Sequence, residues 1–251
     1  METQPAPIVL ITGASKGIGA ATAVAFAQAG YDVCVNFYSD KIGADDTVAR
    51  CQAAGVRAVA IKADVADRDA VRRMFEDCDA ALGPVRCLVN NAGIIGGATS
   101  LESLTESALT STFATNLFGA VYCLQEAIPR MRKVVGGAIV NISSVAATAG
   151  SPGEYVHYAA SKGALETLTI GAAKELGPQG IRVSAIRVGT TATDIHDREG
   201  NPDRPGMVAA MTPLGRIAQP DDIAEAAVWL ASPKAKFVSG TVLTVAGGLS
   251  P

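Results

Sequence analysis

The chain has 251 residues, of which 49% are hydrophobic and 18% are charged, and its formal net charge is -3. These values predict one α/β domain with a substantial buried core, and they give no indication of the basic surface typical of proteins that bind nucleic acids or anionic membranes. The five cysteines lack CxxC spacing, so we expect free thiols in the cytoplasm and neither a disulfide framework nor a metal site.

Short apolar segments alternate with helix-length segments from one end of the chain to the other. The apolar segments predict strands at residues 8–11, 33–37, 58–61, 87–89, 138–142, 183–186 and 242–245. The segments between them predict helices near residues 18–29, 43–54, 68–82, 106–132, 159–176 and 221–230. Strands that are apolar on consecutive residues are typical of a sheet covered on both faces. The sequence therefore predicts a Rossmann-type, doubly wound, predominantly parallel seven-stranded sheet with helices on both faces, in a single domain spanning residues 1–251.

The first predicted strand runs directly into a glycine-rich turn, residues 12–19, and a predicted helix follows. Glycines let the backbone approach a pyrophosphate closely, and the helix N-terminus supplies free N–H groups and a favourable dipole. The same residues match the G-x-S-x-G elbow of serine hydrolases, but that elbow needs preceding strands, and only a dozen residues precede Gly13. The turn therefore favours a dinucleotide phosphate site over a hydrolase nucleophile.

A tyrosine and a lysine, Tyr158 and Lys162, are four residues apart at the start of a predicted helix and so share one helix face. An ammonium group near a phenol favours the phenolate, which brings the phenol pKa closer to the range useful for general acid–base catalysis. Ser144 follows the strand at residues 138–142, at the sheet edge where ligands bind, and its hydroxyl could donate to a substrate carbonyl. The neighbouring Ser143 is expected only to satisfy backbone groups at the strand end.

Taken together, these motifs resemble the short-chain dehydrogenase/reductase family in its shorter, single-domain branch. The resemblance spans essentially the whole chain and rests on residues 12–19, Asp64-Val65, Asn90-Asn91-Ala92-Gly93, Asn116, Ser144 and Tyr158-Ala159-Ala160-Ser161-Lys162. It implies that Tyr158 protonates a substrate carbonyl oxygen, while Lys162 holds the nicotinamide ribose and lowers the pKa of Tyr158. It implies that Ser144 orients the carbonyl and that Asn116 holds a water in a proton relay. It also implies a homotetramer with the helices at residues 106–132 and 159–176 at its interfaces.

The resemblance further implies a nicotinamide cofactor that touches the glycine turn and the carboxyl ends of several strands. The expected cofactor-binding residues are Gly13, Ser15, Lys16, Gly17, Ile18, Gly19, Asn36, Ser39, Asp64, Val65, Asn91, Ala92, Gly93, Tyr158, Lys162, Val188, Gly189, Thr191 and Thr193. The second strand ends without a carboxylate at positions 36 or 37, and Lys16, Asn36 and Ser39 could bind a 2′-phosphate. We therefore expect NADP(H) in preference to NAD(H), and Asp40 is the residue that counts most against this preference.

Small and apolar residues predominate around the expected substrate pocket, which predicts the reduction of a hydrophobic ketone to a secondary alcohol. The pocket residues are Ile94, Ile95, Val145, Ala146, Tyr155 and Gly189. Residues 189–215 are polar and punctuated by proline and glycine, so we expect an irregular loop beside the substrate. The two histidines, His157 and His196, lack metal-ligand spacing.

Three alternative functions remain open at this stage. A 3-oxoacyl-acyl-carrier-protein reductase would need a basic entrance, for which Arg130, Arg132 and Lys133 are candidates. A sugar dehydrogenase would need a polar pocket. A sensor that binds NADP(H) without turnover would have no need of the proton donor Tyr158.

The sequence departs from the family pattern at three places. Val188 precedes Gly189 where proline is usual, and we expect this change to loosen or reshape the turn beside the nicotinamide. Ala246 stands where an aspartate is often found. The interval between Ser144 and Tyr158 is one residue longer than in many relatives, which predicts a longer loop through residues 150–154.

Overall fold

The computed structural model describes residues 6–134, 136–193 and 204–249. These residues form a seven-stranded sheet in the order β3-β2-β1-β4-β5-β6-β7, and every neighbouring pair of strands is parallel. The strands are β1 Ile8–Ile11, β2 Asp32–Phe37, β3 Ala58–Lys62, β4 Cys87–Asn90, β5 Gly137–Ser144, β6 Ile181–Val188 and β7 Val242–Val245. The predicted doubly wound parallel sheet is confirmed.

Helices cover both faces of the sheet. They are α1 Gly17–Gln28, α2 Lys41–Ala53, α3 Arg68–Ala81, α4 Glu106–Phe113, α5 Gly119–Lys133, α6 Ala146–Ala149, α7 Val156–Leu176, α8 Arg204–Met211 and α9 Pro220–Ala231. One apolar core lies under α1, α2 and α9, and a second lies under α3, α5 and α7. Successive strand residues point to opposite faces, so Val9 and Ile11 enter the first core while Ile8 and Leu10 enter the second. This division explains why the strands are apolar on consecutive residues.

The strand order reverses at β1, which lies between β2 and β4. The loops that follow β1 and β4 therefore leave the sheet in opposite directions and open a crevice at its carboxyl edge. This crevice is the place where an open α/β sheet binds ligands, and it is where the glycine turn after β1 lies.

The predicted helix at residues 106–132 is interrupted by a π-helical turn, Ala114–Phe118, between α4 and α5. The turn contains Asn116, whose side-chain oxygen accepts from the backbone N–H of Ile94 at 2.8 Å. One widened turn barely changes the spacing of apolar residues, so the sequence pattern gave no sign of it.

The prediction of an irregular loop at residues 189–215 is wrong in part, because α8 lies within it. The segment begins with Arg204-Pro205-Gly206, and a proline is tolerated in the first turn of a helix, although it reads as a loop signal in the sequence. Residues 194–203, which include Asp194 and His196, lie outside the described residues.

All five cysteines are buried free thiols, as predicted. Burial raises the pKa of Cys87 and of Cys123 to about 12, so both thiols stay protonated near neutral pH. Among the described helices, none is long and apolar enough to cross a membrane. The described part of the chain also contains no cluster of three metal-ligating side chains.

Candidate active site

A cavity of about 930 Å³ opens at the carboxyl edge of the sheet. Its wall includes every predicted cofactor-binding and substrate-pocket residue, together with Ser144, Tyr158 and Lys162. Asn116 lies behind the wall and is buried. Residues on the wall that the sequence analysis did not assign to the site are Tyr38, Ala63, Thr115, Ile142, Ser143, Ala149, Ser151 and Thr190.

Hydrogen bonds connect the glycine turn to the segment that follows β4. The Asn91 side-chain amide donates to the carbonyl oxygens of Thr12 and Gly13 at 2.9 and 3.0 Å. In return, the Thr12 hydroxyl oxygen accepts from the backbone N–H groups of Asn91 and Ala92 at 3.0 Å each. A Cβ atom on Gly19 would lie only 2.5 Å from the Asn91 amide nitrogen, so this position has no room for a side chain.

Asn36 supports the turn from the other side, and its predicted contact with a 2′-phosphate is corrected here. Its side-chain oxygen accepts from the Gly13 N–H at 3.1 Å, and its amide nitrogen donates to the carbonyls of Ile61 and Ala63 at 3.3 and 3.1 Å. Both amide hydrogens are therefore used inside the protein, and the residue is buried. A carboxylate at this position would face those two carbonyl oxygens without a proton to share.

The segment that follows β2 contributes Tyr38, Ser39 and Asp40 to the cavity wall. Asp40 is the N-cap of α2, and its side chain accepts from the Gly43 N–H at 3.0 Å. This carboxylate therefore has a structural role at the helix end in addition to its place on the cavity wall. Tyr38 is largely exposed.

Tyr158 lies in the first turn of α7, and Lys162 follows one turn later. Burial raises the pKa of Tyr158, and a hydrogen bond with Ser144 lowers it. The Lys162 ammonium donates to the Ile142 carbonyl at 2.8 Å and lies 5.7 Å from the centre of the Tyr158 ring. Burial lowers the pKa of Lys162 to about 8. In this structure the contribution that lowers the phenol pKa comes from Ser144.

Asn116 ties the loop after β4 to α7. Its side-chain amide donates to the Ile94 carbonyl at 2.9 Å and to the Ser161 hydroxyl oxygen at 3.0 Å. Ser161 in turn donates to the Tyr158 carbonyl at 2.7 Å. A Cβ atom on Gly93 would lie 3.3 Å from both the Asn116 side-chain oxygen and the Lys162 nitrogen, so these groups converge beside Gly93.

The two adjacent serines at the end of β5 have different partners. Ser144 is the last residue of the strand, and its hydroxyl oxygen accepts from the Ala146 N–H at 3.2 Å. Ser143 donates to the Glu166 carboxylate at 2.8 Å, so the prediction that it serves only backbone groups is wrong. The hydrogen of Ser143 is occupied, which leaves Ser144 as the serine placed to donate to a ligand.

The substrate end of the cavity is walled by Ile94, Ile95, Val145, Ala146, Ala149 and Tyr155. Ser151 adds a hydroxyl group and adopts a left-handed backbone conformation, with φ of 46°, which is strained for a residue other than glycine. It lies in the predicted longer loop, where the flanking Gly150 and Gly153 also have positive φ. The two glycines were the signal in the sequence that this loop turns sharply.

The valine at position 188 is part of the sheet. Val188 is the last residue of β6, is buried, and pairs with Ser144 on one side and Val245 on the other. A Cβ atom on Gly189 would lie 2.9 Å from the Cα of Ala246, so the backbone after β6 packs closely against the residue that stands where an aspartate is often found. Strand pairing therefore holds position 188 on both sides.

A family model described as enoyl-(acyl carrier protein) reductase matches residues 13–250. The chain belongs to the short-chain dehydrogenase/reductase family. It is an oxidoreductase of that family.

Two curated relatives match almost the whole chain. YgfF, an uncharacterised oxidoreductase from Escherichia coli (strain K12), is 43% identical over 244 residues, which cover 96% of this chain and 99% of that protein. FabG, a 3-oxoacyl-acyl-carrier-protein reductase from Staphylococcus aureus, is 39% identical over 240 residues, which cover 96% of each protein.

Two solved structures share the fold. A 7α-hydroxysteroid dehydrogenase in complex with NADH and 7-oxo glycochenodeoxycholic acid has a TM-score of 0.92 and 34% identity, covering 97% of this chain and 94% of its own. A blue fluorescent protein from a metagenomic library, in complex with NADPH, has a TM-score of 0.91 and 35% identity, covering 98% of this chain and 99% of its own.

Proposed function

We propose that this protein is an NADP(H)-dependent reductase that converts an apolar ketone to a secondary alcohol. The observation that carries the proposal is one continuous cavity that holds the glycine turn together with Ser144, Tyr158 and Lys162. A glycine turn suited to a nucleotide and a proton donor on one cavity wall are the parts that reduction of a carbonyl needs.

The residues around the glycine turn fit the pyrophosphate of a dinucleotide. Side chains are excluded at Gly19, and no acidic side chain lies in the first turn of α1, so the helix N-terminus can receive an anion. Asp64 and Val65 would contact the adenine, and Asn91 to Gly93 would lie beside its ribose. The bound nicotinamide would supply the hydride.

The protein's own groups would act on the substrate oxygen. Ser144 would donate a hydrogen bond that orients the carbonyl, and Tyr158 would transfer its phenolic proton to the carbonyl oxygen. The phenolate left on Tyr158 is stabilised by the ammonium of Lys162, because the single hydroxyl hydrogen of Ser144 is donated to the substrate oxygen. Asn116 would hold a water molecule. Because its side-chain amide already donates to Ile94 and Ser161, its backbone would bind that water.

The proposed preference for NADP(H) depends on the end of β2 and on the glycine turn. The two solved relatives hold different cofactors, NADH in one and NADPH in the other. The cofactor preference of this chain must therefore be inferred from its own residues. Tyr38 and Ser39 are uncharged, and Asp40 caps α2. Lys16 supplies a positive charge on the same cavity wall, which favours a 2′-phosphate.

Removing the phenol hydroxyl tests the proposed proton transfer. Tyr158→Phe is expected to lower kcat for ketone reduction by about 10³-fold, since positioned general acids contribute about 10²- to 10⁴-fold. Tyr155→Phe is the matched control, because Tyr155 lines the same cavity, and we expect only a few-fold change. Equal and small effects of the two substitutions would contradict the assignment of Tyr158 as proton donor.

A 3-oxoacyl-acyl-carrier-protein reductase is the second candidate, favoured by the similarity to FabG. The basic residues considered for its entrance do not support it, because α5 ends with them at the amino edge of the sheet, away from the cavity. Arg130 is also paired with Asp79 and Glu126 at 2.7 and 2.8 Å. Reduction of an acetoacetyl thioester with a kcat/KM well above that of any apolar ketone would favour this candidate.

The two remaining alternatives make different demands on the cavity. A sugar dehydrogenase would need polar groups for several sugar hydroxyls, whereas the substrate end combines the hydroxyls of Ser151 and Tyr155 with an apolar wall. A sensor would bind NADPH tightly without turnover, and Tyr158→Phe would leave its function intact.

We further propose a cytoplasmic homotetramer. Buried free thiols are typical of a reducing compartment. Apolar side chains of Leu109, Phe118 and Ile170 are exposed along α4, the π-helical turn and α7, where the interfaces are expected. Light scattering coupled to size-exclusion chromatography is expected to give the mass of four chains, and the mass of one chain would contradict the proposal.

A further inference from the structure

A buried carboxylate lies behind the active-site wall, on the helix that carries Tyr158 and Lys162. Glu166 follows Lys162 by one helical turn and is buried. One of its carboxylate oxygens accepts from the Ser143 hydroxyl at 2.8 Å and from the Arg187 Nε at 3.0 Å. The other accepts from the Arg187 Nη2 at 2.8 Å. The carboxylate thus binds three donors.

The three side chains belong to the three elements that carry the proposed chemistry. Ser143 and Arg187 are direct partners in the pairing of β5 with β6, and the next pair in register is Ser144 with Val188. Glu166 connects this pair of strands to α7. Glu166 and Arg187 are not on the cavity wall, so neither is placed to touch a substrate.

Apolar packing also joins α7 to the sheet, through Ala173 and Leu176 in the core with Ile181 and Val183 of β6. Such packing is non-directional, and a buried ion pair is often no more stabilising than apolar residues of the same size. Hydrogen bonds to a two-pronged guanidinium fix direction and spacing, which apolar contacts do not. The cluster therefore fixes the direction and spacing of α7 relative to β5 and β6.

We propose that Glu166 is a positioning residue, which through Ser143 and Arg187 sets the distances among Ser144, Tyr158 and the turn after β6. This inference rests on the proposed reductase function. Small misplacements of reacting groups cost rate more than they cost binding, so the effect should appear in kcat.

Two substitutions in the cluster and one outside it test the proposal. Glu166→Gln keeps the side-chain size but removes the charge, and Ser143→Ala removes one hydrogen bond while leaving the ion pair. Asp32→Asn is the matched control, because it breaks another arginine–carboxylate pair, with Arg57, at the amino edge of the sheet. For each variant, kcat and KM for ketone and NADPH, the dissociation constant for NADPH and Tm are measured.

We expect Glu166→Gln to lower kcat by at least about 10-fold and Ser143→Ala by roughly fivefold, with KM for NADPH and the NADPH dissociation constant within about twofold of the original. We expect Asp32→Asn to lower Tm while leaving kcat within about twofold. In the alcohol-oxidising direction, kcat rises as Tyr158 loses its proton. The midpoint of that rise should shift to higher pH in both cluster variants, because the Ser144 hydrogen bond that lowers the pKa of Tyr158 is disturbed.

The result that overturns the proposal is an unchanged kcat and pH midpoint in folded Ser143→Ala or Glu166→Gln. Losses of kcat that follow the loss of Tm equally in all three variants would also overturn it. Should Glu166→Gln fail to fold, Ser143→Ala decides the outcome by the same criteria. Failure of the proposed function would show differently, as an absence of ketone reduction by the unsubstituted protein.

Discussion

At the amino edge of the sheet, Arg57 donates to Asp32 at 2.6 Å and to the Leu82 carbonyl at 3.0 Å, joining β2 and β3 to the end of α3. At the carboxyl edge, Arg187 donates to Glu166 and joins β6 to α7. The chemistry of the two pairs is the same, but only the second is bonded to a residue of the cavity wall. The comparison teaches that the position of an ion pair on a parallel sheet decides whether it can influence a ligand site.

The carboxyl edge also contains a buried cation without a carboxylate partner among the described residues. The Lys162 ammonium donates to a backbone carbonyl, and its pKa is lowered by burial. A buried ammonium without a negatively charged partner lowers the stability of the protein. Lys162 nevertheless lies beside Tyr158, where a phenolate would form. At the amino edge, Arg182 also donates to backbone carbonyls and its pKa is also lowered by burial, but it does not line the cavity. We call the amino edge the stabilising edge and the carboxyl edge the reactive edge, because only the latter places such a cation at the cavity.

Among the substitutions that compare groups of the two edges, the largest expected effect on kcat concerns the two serines of the reactive edge. Ser144→Ala should lower kcat by roughly 10²-fold, because removing one donor from a developing oxyanion costs about that much. Ser143→Ala should cost far less, since its hydrogen bond goes to Glu166. Steady-state kinetics of both variants with one ketone measure this difference. A greater loss in Ser143→Ala would reverse the assignment of the two hydroxyls.

The next prediction concerns stability against pH. The pKa of Lys162 is about 8 in the folded protein and 10.5 for an ordinary lysine, so between these values the unfolded state binds more protons. The free energy of unfolding should therefore rise with pH from 8 to 10.5, by on the order of 3 kcal/mol, relative to Lys162→Met. Below pH 8 the lysine is protonated in both states, and the difference should be flat.

Urea unfolding at pH 7 to 10.5 measures this difference. Lys174→Met is the control, because Lys174 is exposed on the same helix, and its curve should parallel that of the unsubstituted protein. A difference between the unsubstituted protein and Lys162→Met that stays constant across the window would show that burial does not destabilise the ammonium.

The stabilising edge is tested by Asp32→Asn. We expect the free energy of unfolding to fall by about 2 kcal/mol, less than for a fully buried pair because Arg57 is half-exposed. Denaturant unfolding gives this value. A decrease in kcat larger than twofold would break the distinction between the two edges.

The smallest expected effect concerns cofactor choice. Lys16→Ala should raise KM for NADPH by roughly 10-fold and leave KM for NADH within about twofold, because a charged contact with a 2′-phosphate exists only in NADPH. The two Michaelis constants are measured with one ketone. A change of the same size for both cofactors would place Lys16 against the shared pyrophosphate instead.

Much of the fold could be predicted from the sequence, because strands buried on both faces are apolar on consecutive residues. The strand ends could not, since Ser143, Ser144 and Arg187 are polar and lie in strands only because β5 and β6 pair along their full length. The π-helical turn at Asn116 was missed because it hardly alters the apolar spacing. The sequence did not predict α8, because the proline and glycine in its first turn are typical of loops.

The residues of the site could be predicted better than their partners. The motifs predicted that Tyr158 and Lys162 share one face of a helix, and both residues line the cavity. They could not show that the Asn36 amide bonds inward, or that Glu166 is buried. A glutamate one turn after a lysine on a helix usually indicates an exposed ion pair, and only the packing of α7 on the sheet shows otherwise.

The central claim is that this cavity reduces ketones with NADPH. The direct measurement is the rate of NADPH oxidation with a panel of aryl ketones, keto esters, acetoacetyl thioesters and sugars, repeated with NADH. The account predicts turnover that is fastest with an apolar ketone and has a higher kcat/KM with NADPH than with NADH. Tight binding of NADPH without oxidation in the presence of any of these substrates would contradict it and would favour a sensor.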